Sequence, residues 1–117
     1  MAEDARQAAA LTPGALDQYT GGDKDVEKEI YGQFLESSRN DADKLAMAFG
    51  GDDIEAVMHA AHRIKGASRM VGATPMAEVA ERIEMAARKG DWDTLRANRT
   101  AFEQELARLV AELQTLT

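Results

Sequence analysis

A chain of 117 residues supports a single domain that closes one apolar core. It contains no cysteine, which excludes disulfides, thiolate metal sites and cysteine nucleophiles and suits a reducing compartment, so a cytoplasmic location is expected. A net charge of -7 and 5% aromatic residues argue against nucleic-acid binding, which needs a basic surface to neutralise phosphates.

In chain order, residues 1–10 read as a flexible tail or linker and residues 11–117 as the folded domain. The opening MAEDARQAAALTPG carries Glu3 and Asp4 and has no sustained apolar run, so no signal peptide, membrane span or direct membrane contact is expected. Leu11 to Tyr19 predicts a short helix covering one end of the fold. Beyond Asp23, a plausible N-cap, Val26, Ile30, Phe34, Ala42, Leu45 and Phe49 recur at helical spacings, predicting a long amphipathic helix that Gly50-Gly51 stops. A second helix starts at Asp52 or Asp53 and runs to Val71, with Gly72 as its stop. Thr74 then caps a third helix with Pro75 at its first position, running through Val79, Ile83 and Ala86 to Lys89-Gly90. The last begins near Asp91 and carries Leu95, Phe102, Leu106, Leu109 and Leu113.

No alternating strand pattern is present. Four long helices joined by short connections imply antiparallel neighbours, so the expected fold is all-α: an up-down four-helix bundle with a short extra N-terminal helix. No further apolar stripe is evident, and a monomer is expected.

The stretch from His62 to Ala73 differs from the acidic, Ala-rich remainder. Arg63, Lys65 and Arg69 form a basic island with no acid between them. With His62 at zero on a helical wheel of about 100° per residue, Val57, Ala60, Ile64 and Val71 fall between roughly 160° and 220°, the core side. His62 therefore points outward, flanked by His59 and Lys65 at about 60° either way. Gly66 lies one turn further on the same face, where glycine costs about 0.5 to 1 kcal/mol relative to alanine. Helical side chains lean toward the N-terminus, so a residue at 66 would crowd the imidazole; glycine leaves it open to a large partner or an added group. Imidazole, with an ordinary pKa near 6.5, is mostly neutral at about pH 7 and keeps one lone pair for attack on phosphorus. Lys65 is placed to approach an anion on the ring, and Arg69 adds positive potential. An exposed nucleophile, open access and nearby cations describe a phosphoryl acceptor. Met58 and Met70, about 40° and 80° from His62, suggest an adaptable docking rim together with His59; ordinary packing against a neighbouring helix is the alternative for each methionine.

Two other classes stay open. His59, His62 and Glu55 share one side at zinc-compatible spacing, although Lys65 and Arg69 would repel a cation and bundle metal sites project inward, so no metal is expected. A scaffold bundle without transfer chemistry would not need His62, Lys65 and Gly66 together.

His62-Arg63-Ile64-Lys65-Gly66-Ala67-Ser68-Arg69-Met70-Val71-Gly72-Ala73 resembles the signature of histidine-containing phosphotransfer (HPt) domains, and its wording is most similar to HPt modules at the C-terminal end of unorthodox hybrid sensor kinases. The likeness extends from roughly Leu16 to the end. It implies a phosphorelay intermediate that shuttles phosphoryl groups between aspartates of response-regulator receiver domains and does not hydrolyse ATP. By the same resemblance His62 is the phosphorylated histidine, Lys65 lies near the phosphoryl group, Gly66 grants access, and Glu84 hydrogen-bonds the other ring nitrogen. Arg69 matches no general family feature. The chain itself needs no cofactor, Mg2+ being expected on the partner receiver, and a covalently linked, membrane-anchored sensor kinase is compatible with the likeness.

Overall fold

Aspartates start three of the four long helices. In the computed structural model, which describes residues 9–117, the chain forms α1 (Asp17–Thr20), α2 (Lys24–Gly50), α3 (Ile54–Val71), α4 (Thr74–Arg88) and α5 (Trp92–Leu116). Asp23 Oδ1 accepts the backbone N–H groups of Asp25 and Val26 at 3.0 and 3.2 Å, Asp53 Oδ1 that of Ala56 at 3.1 Å, and Asp91 Oδ1 that of Thr94 at 3.0 Å. Each bond satisfies a donor that a helix start leaves unpaired.

The N-terminus of α4 departs from the expected pattern. Its cap position is Ala73, without a side-chain bond; Thr74 and Pro75 are already helical. Only two residues separate α3 from α4, and the backbone closes the corner itself. Gly72 adopts φ 79° and the Ala73 N–H donates to Ser68 O at 2.8 Å, which ends α3 and leaves Ala73 at the cap of α4, so Thr74 is the first helical residue and not the cap. Glycine at 72 is required twice. Besides the positive φ, a Cβ there would collide with Ala15 and come within 3.2 Å of Thr12 Cβ.

That close approach belongs to the N-terminal segment. Thr12 N–H donates to Gly72 O at 2.8 Å, and Leu11 and Leu16 are buried over this end of the bundle. The helix expected from Leu11 to Tyr19 is reduced to α1, because Pro13-Gly14, with φ 77° at Gly14, holds the preceding residues in turns. Of the expected tail, residues 1–8 lie outside the described residues. Ala10 is packed rather than free: it is buried, and Glu112 accepts the N–H groups of Ala10 at 2.7 Å and Leu11 at 3.2 Å.

Connections of two or three residues bring α2 onto α3, α3 onto α4 and α4 onto α5, and α5 returns to α2, closing an antiparallel four-helix bundle. The seam between α3 and α4 is the most extensive and that between α2 and α5 the thinnest. Val57, Ala60, Ile64 and Val71 of α3 and Met76, Val79 and Ile83 of α4 are all buried in the one apolar core. The apolar stripe of α2 lies one residue off at its start. Val26 is 41% exposed, while Glu27 and Tyr31 face inward, Glu27 accepting from Thr20 Oγ1 at 3.0 Å and pairing with Lys24 at 3.3 Å. Among the described residues no helix is long and apolar enough to cross a membrane.

Candidate functional site

His62 lies midway along α3, opposite the buried face of that helix, and its side chain is 64% exposed. The ring leans toward α4, where Nδ1 is 2.8 Å from Glu84 Oε2. Glu84 is 2% exposed. It follows Ile83 and lies seven residues after Ala77 and four after Ala80, all buried, so it occupies the margin of the α4 core face where that face meets α3. Two cations close around its carboxylate. Lys65 Nζ is 2.6 Å from Oε1, and Arg88, one turn further along α4, donates from Nη2 to Oε2 at 2.8 Å.

This setting decides the charge of Glu84. Burial pushes its pKa up, but hydrogen bonds from Lys65, Arg88 and His62, together with the Lys65 charge, prevail and hold it at about 2. At neutral pH the carboxylate is therefore ionised and only accepts. His62 Nδ1, facing that acceptor, carries the hydrogen, and the free lone pair of the neutral ring sits on Nε2.

The basic island read from the sequence is not a free positive patch. Lys65 pairs with Glu84, Arg63 Nε with Asp41 Oδ1 at 3.2 Å, and Arg69 Nη2 with Glu81 Oε1 at 2.8 Å. Each of the three cations meets a carboxylate from a neighbouring helix, α2 for Arg63 and α4 for the other two. The local count overlooked these acids because they lie 12 to 22 residues away in the chain. Lys65 in particular is not extended over the ring; its side chain is 16% exposed and withdrawn onto Glu84.

At Gly66 a Cβ would meet no atom within 4 Å. Close packing of another helix therefore does not account for the glycine, and a single methyl group would not touch the imidazole. Crowding of the ring requires a longer side chain, and the space beside His62 opens outward. Of the three residues read as a docking rim, His59 and Met70 are exposed, while Met58 is half-buried and packs against the core. Glu55, His59 and His62 do not form a metal-holding group; none is found among the described residues. Arg88 is the site residue that sequence reasoning missed. Its signal was present in the spacing, since Glu84 and Arg88 are four apart on one helix face.

The sequence matches the Hpt domain family over residues 29–115. The fold is similar to that of histidine-containing phosphotransfer protein B (HptB) from Pseudomonas aeruginosa PAO1, with a TM-score of 0.84 and 25% identity over 92% of this chain and 94% of that one. A comparison with curated protein sequences gives no significant match. The chain thus belongs to the Hpt domain family, and its role is histidine phosphotransfer in two-component phosphorelay signalling. Hpt proteins carry phosphoryl groups without a kinase domain of their own, and they interact with the receiver domains of response regulators.

Proposed function

We propose that His62 is the phosphoryl carrier and that its Nε2 is the atom that accepts and donates the group. The observation that carries this reading is an exposed imidazole with Nδ1 held 2.8 Å from a buried, ionised carboxylate. In the forward step the Nε2 lone pair attacks the phosphorus of a receiver's aspartyl phosphate. The Nε2–P bond forms, the P–O bond to the aspartate breaks, and the aspartate leaves as a carboxylate. The proton on Nδ1 stays in place. The phosphorylated ring then carries a positive charge, which the Glu84 carboxylate stabilises, and the reverse step returns the group with no proton to relocate.

The remaining residues assist without touching the leaving aspartate. Lys65 supplies an ammonium to the phosphoryl oxygens, Gly66 leaves the approach to the ring open, and Arg69, paired with Glu81 at 2.8 Å, contributes to the local potential. His59, Met70 and the outer edge of Met58 form the rim on which the receiver docks, the methionines adapting to an apolar surface. The receiver brings the acidic pocket and its Mg2+, so this chain acts as a carrier and not as an enzyme in its own right. It works as a cytoplasmic monomer, either alone or joined to a sensor kinase.

Incubation with a receiver domain phosphorylated on its aspartate should transfer an acid-labile, base-stable label to this protein. His62→Gln should reduce the label to background with helicity by circular dichroism unchanged. Label retained in His62→Gln would place the carrier elsewhere.

A further inference from the structure

Resting on His62 as the carrier, we propose that Arg88 is a positioning residue that releases Lys65: by holding Glu84 Oε2, it lets Lys65 leave Oε1 for the phosphoryl group without stranding a buried anion. In the unphosphorylated protein Lys65 is engaged, 2.6 Å from Oε1 and mostly withdrawn from solvent. Phosphorylation adds about two negative charges at the far side of the ring. Lys65 is the cation nearest in sequence on the same side of α3, three residues after His62. To reach those oxygens it must let go of Glu84.

Were Lys65 the only side chain besides His62 on Glu84, its departure would leave a carboxylate that is 2% exposed with Oε1 bare and the phosphorylated ring, itself shared with the phosphoryl group, as its one counter-charge, an unfavourable arrangement in a protein interior. Arg88 removes that penalty. Its guanidinium remains charged at any relevant pH, binds the other carboxylate oxygen at 2.8 Å, and sits four residues away on the same helix, so it holds its place while Lys65 moves. The division of labour is visible in the geometry. Oε1 belongs to the cation that leaves, whereas Oε2 is shared by the two groups that stay, Arg88 and the His62 Nδ1–H.

The test uses phosphoramidate, which donates a phosphoryl group without a docking receiver: the Nε2–P bond forms, the donor's P–N bond breaks, and the nitrogen departs as ammonia after taking a proton from water. The initial rate of His62 phosphorylation is measured in a four-member cycle of wild type, Arg88→Gln, Glu84→Gln and the double variant. Arg88→Gln should slow phosphorylation about threefold to tenfold, the range expected for one partly exposed charge-assisted contact. In the Glu84→Gln background, where no carboxylate retains Lys65, the same substitution should change the rate by less than about twofold. Arg88→Lys, which keeps the charge, should recover most of the wild-type rate. A wild-type rate in Arg88→Gln, or an equal loss in both backgrounds, overturns the proposal and leaves His62 as carrier intact. A wild-type protein that takes no label from either phosphoramidate or a phosphorylated receiver overturns both readings.

Discussion

Glu84 and Glu105 are buried carboxylates on long helices of the same bundle, with different neighbours. Glu84, in the extensive seam between α3 and α4, is met by Lys65 and His62 from one helix and Arg88 from its own. Glu105 lies on α5, which packs on α4 and more thinly on α2. Its Oε1 accepts from Arg108, three residues along the same helix, at 2.9 Å, a partner from its own helix rather than from across a seam. Burial alone therefore does not mark a working carboxylate. What separates the two is how many donors the tertiary structure brings to each, and from how many helices.

Substitution should expose that difference most strongly. Glu84→Ala leaves Lys65 and Arg88 facing each other at the seam, and a loss of about 3 kcal/mol in urea unfolding is expected, against about 1 kcal/mol for Glu105→Ala. Equal losses would erase the distinction between the two carboxylates.

Acid unfolding sharpens the same contrast. The folded-state pKa of Glu84, about 2, lies below its ordinary value of 4.5, so its ionisation stabilises the fold above pH 4.5. That contribution is lost as pH falls through the interval from 4.5 to about 2 and is on the order of 2 to 3 kcal/mol. Wild-type stability should drop across this window by that much more than the stability of Glu84→Gln. Parallel curves for the two proteins would show that Glu84 is not held ionised by its neighbours.

The smallest effect is expected at the outer edge of the seam. Gly66→Ala places a methyl group where it meets nothing within 4 Å, and should raise stability by about 0.5 to 1 kcal/mol in the same urea titration. A loss there would mean that the packing of α3 on α4, rather than access to His62, requires the glycine.

Much of the fold was legible because its signals are local. Asp23, Asp53 and Asp91 cap helices within three residues of themselves, and Gly72 ends α3 by its own backbone conformation. The outward placement of His62 followed from the 3.6-residue period alone. Where the reading failed, a distant element intervened. Thr74 lost its capping position because α3, through the Ser68 carbonyl, holds Ala73 at the start of α4, and Ala10 was drawn into the fold by Glu112, 102 residues away. The stripe of α2 moved from Val26 to Glu27 because Thr20, from α1, supplies a partner for that carboxylate.

The same division runs through the site. Sequence alone determined that one imidazole and one glycine share an outward helix face beside a lysine, since positions three and four apart on a helix must be neighbours. It equally determined that Arg88 lies beside Glu84. Only the packing of α3 against α4 decided that Lys65 binds Glu84, that Arg63 and Arg69 are matched by Asp41 and Glu81, and that the His62 Nδ1 faces an ionised acceptor. Helical periodicity sets which residues on one helix are adjacent, whereas the partner that meets them across a seam, and hence the charge state of a buried group, depends on the register of a second helix.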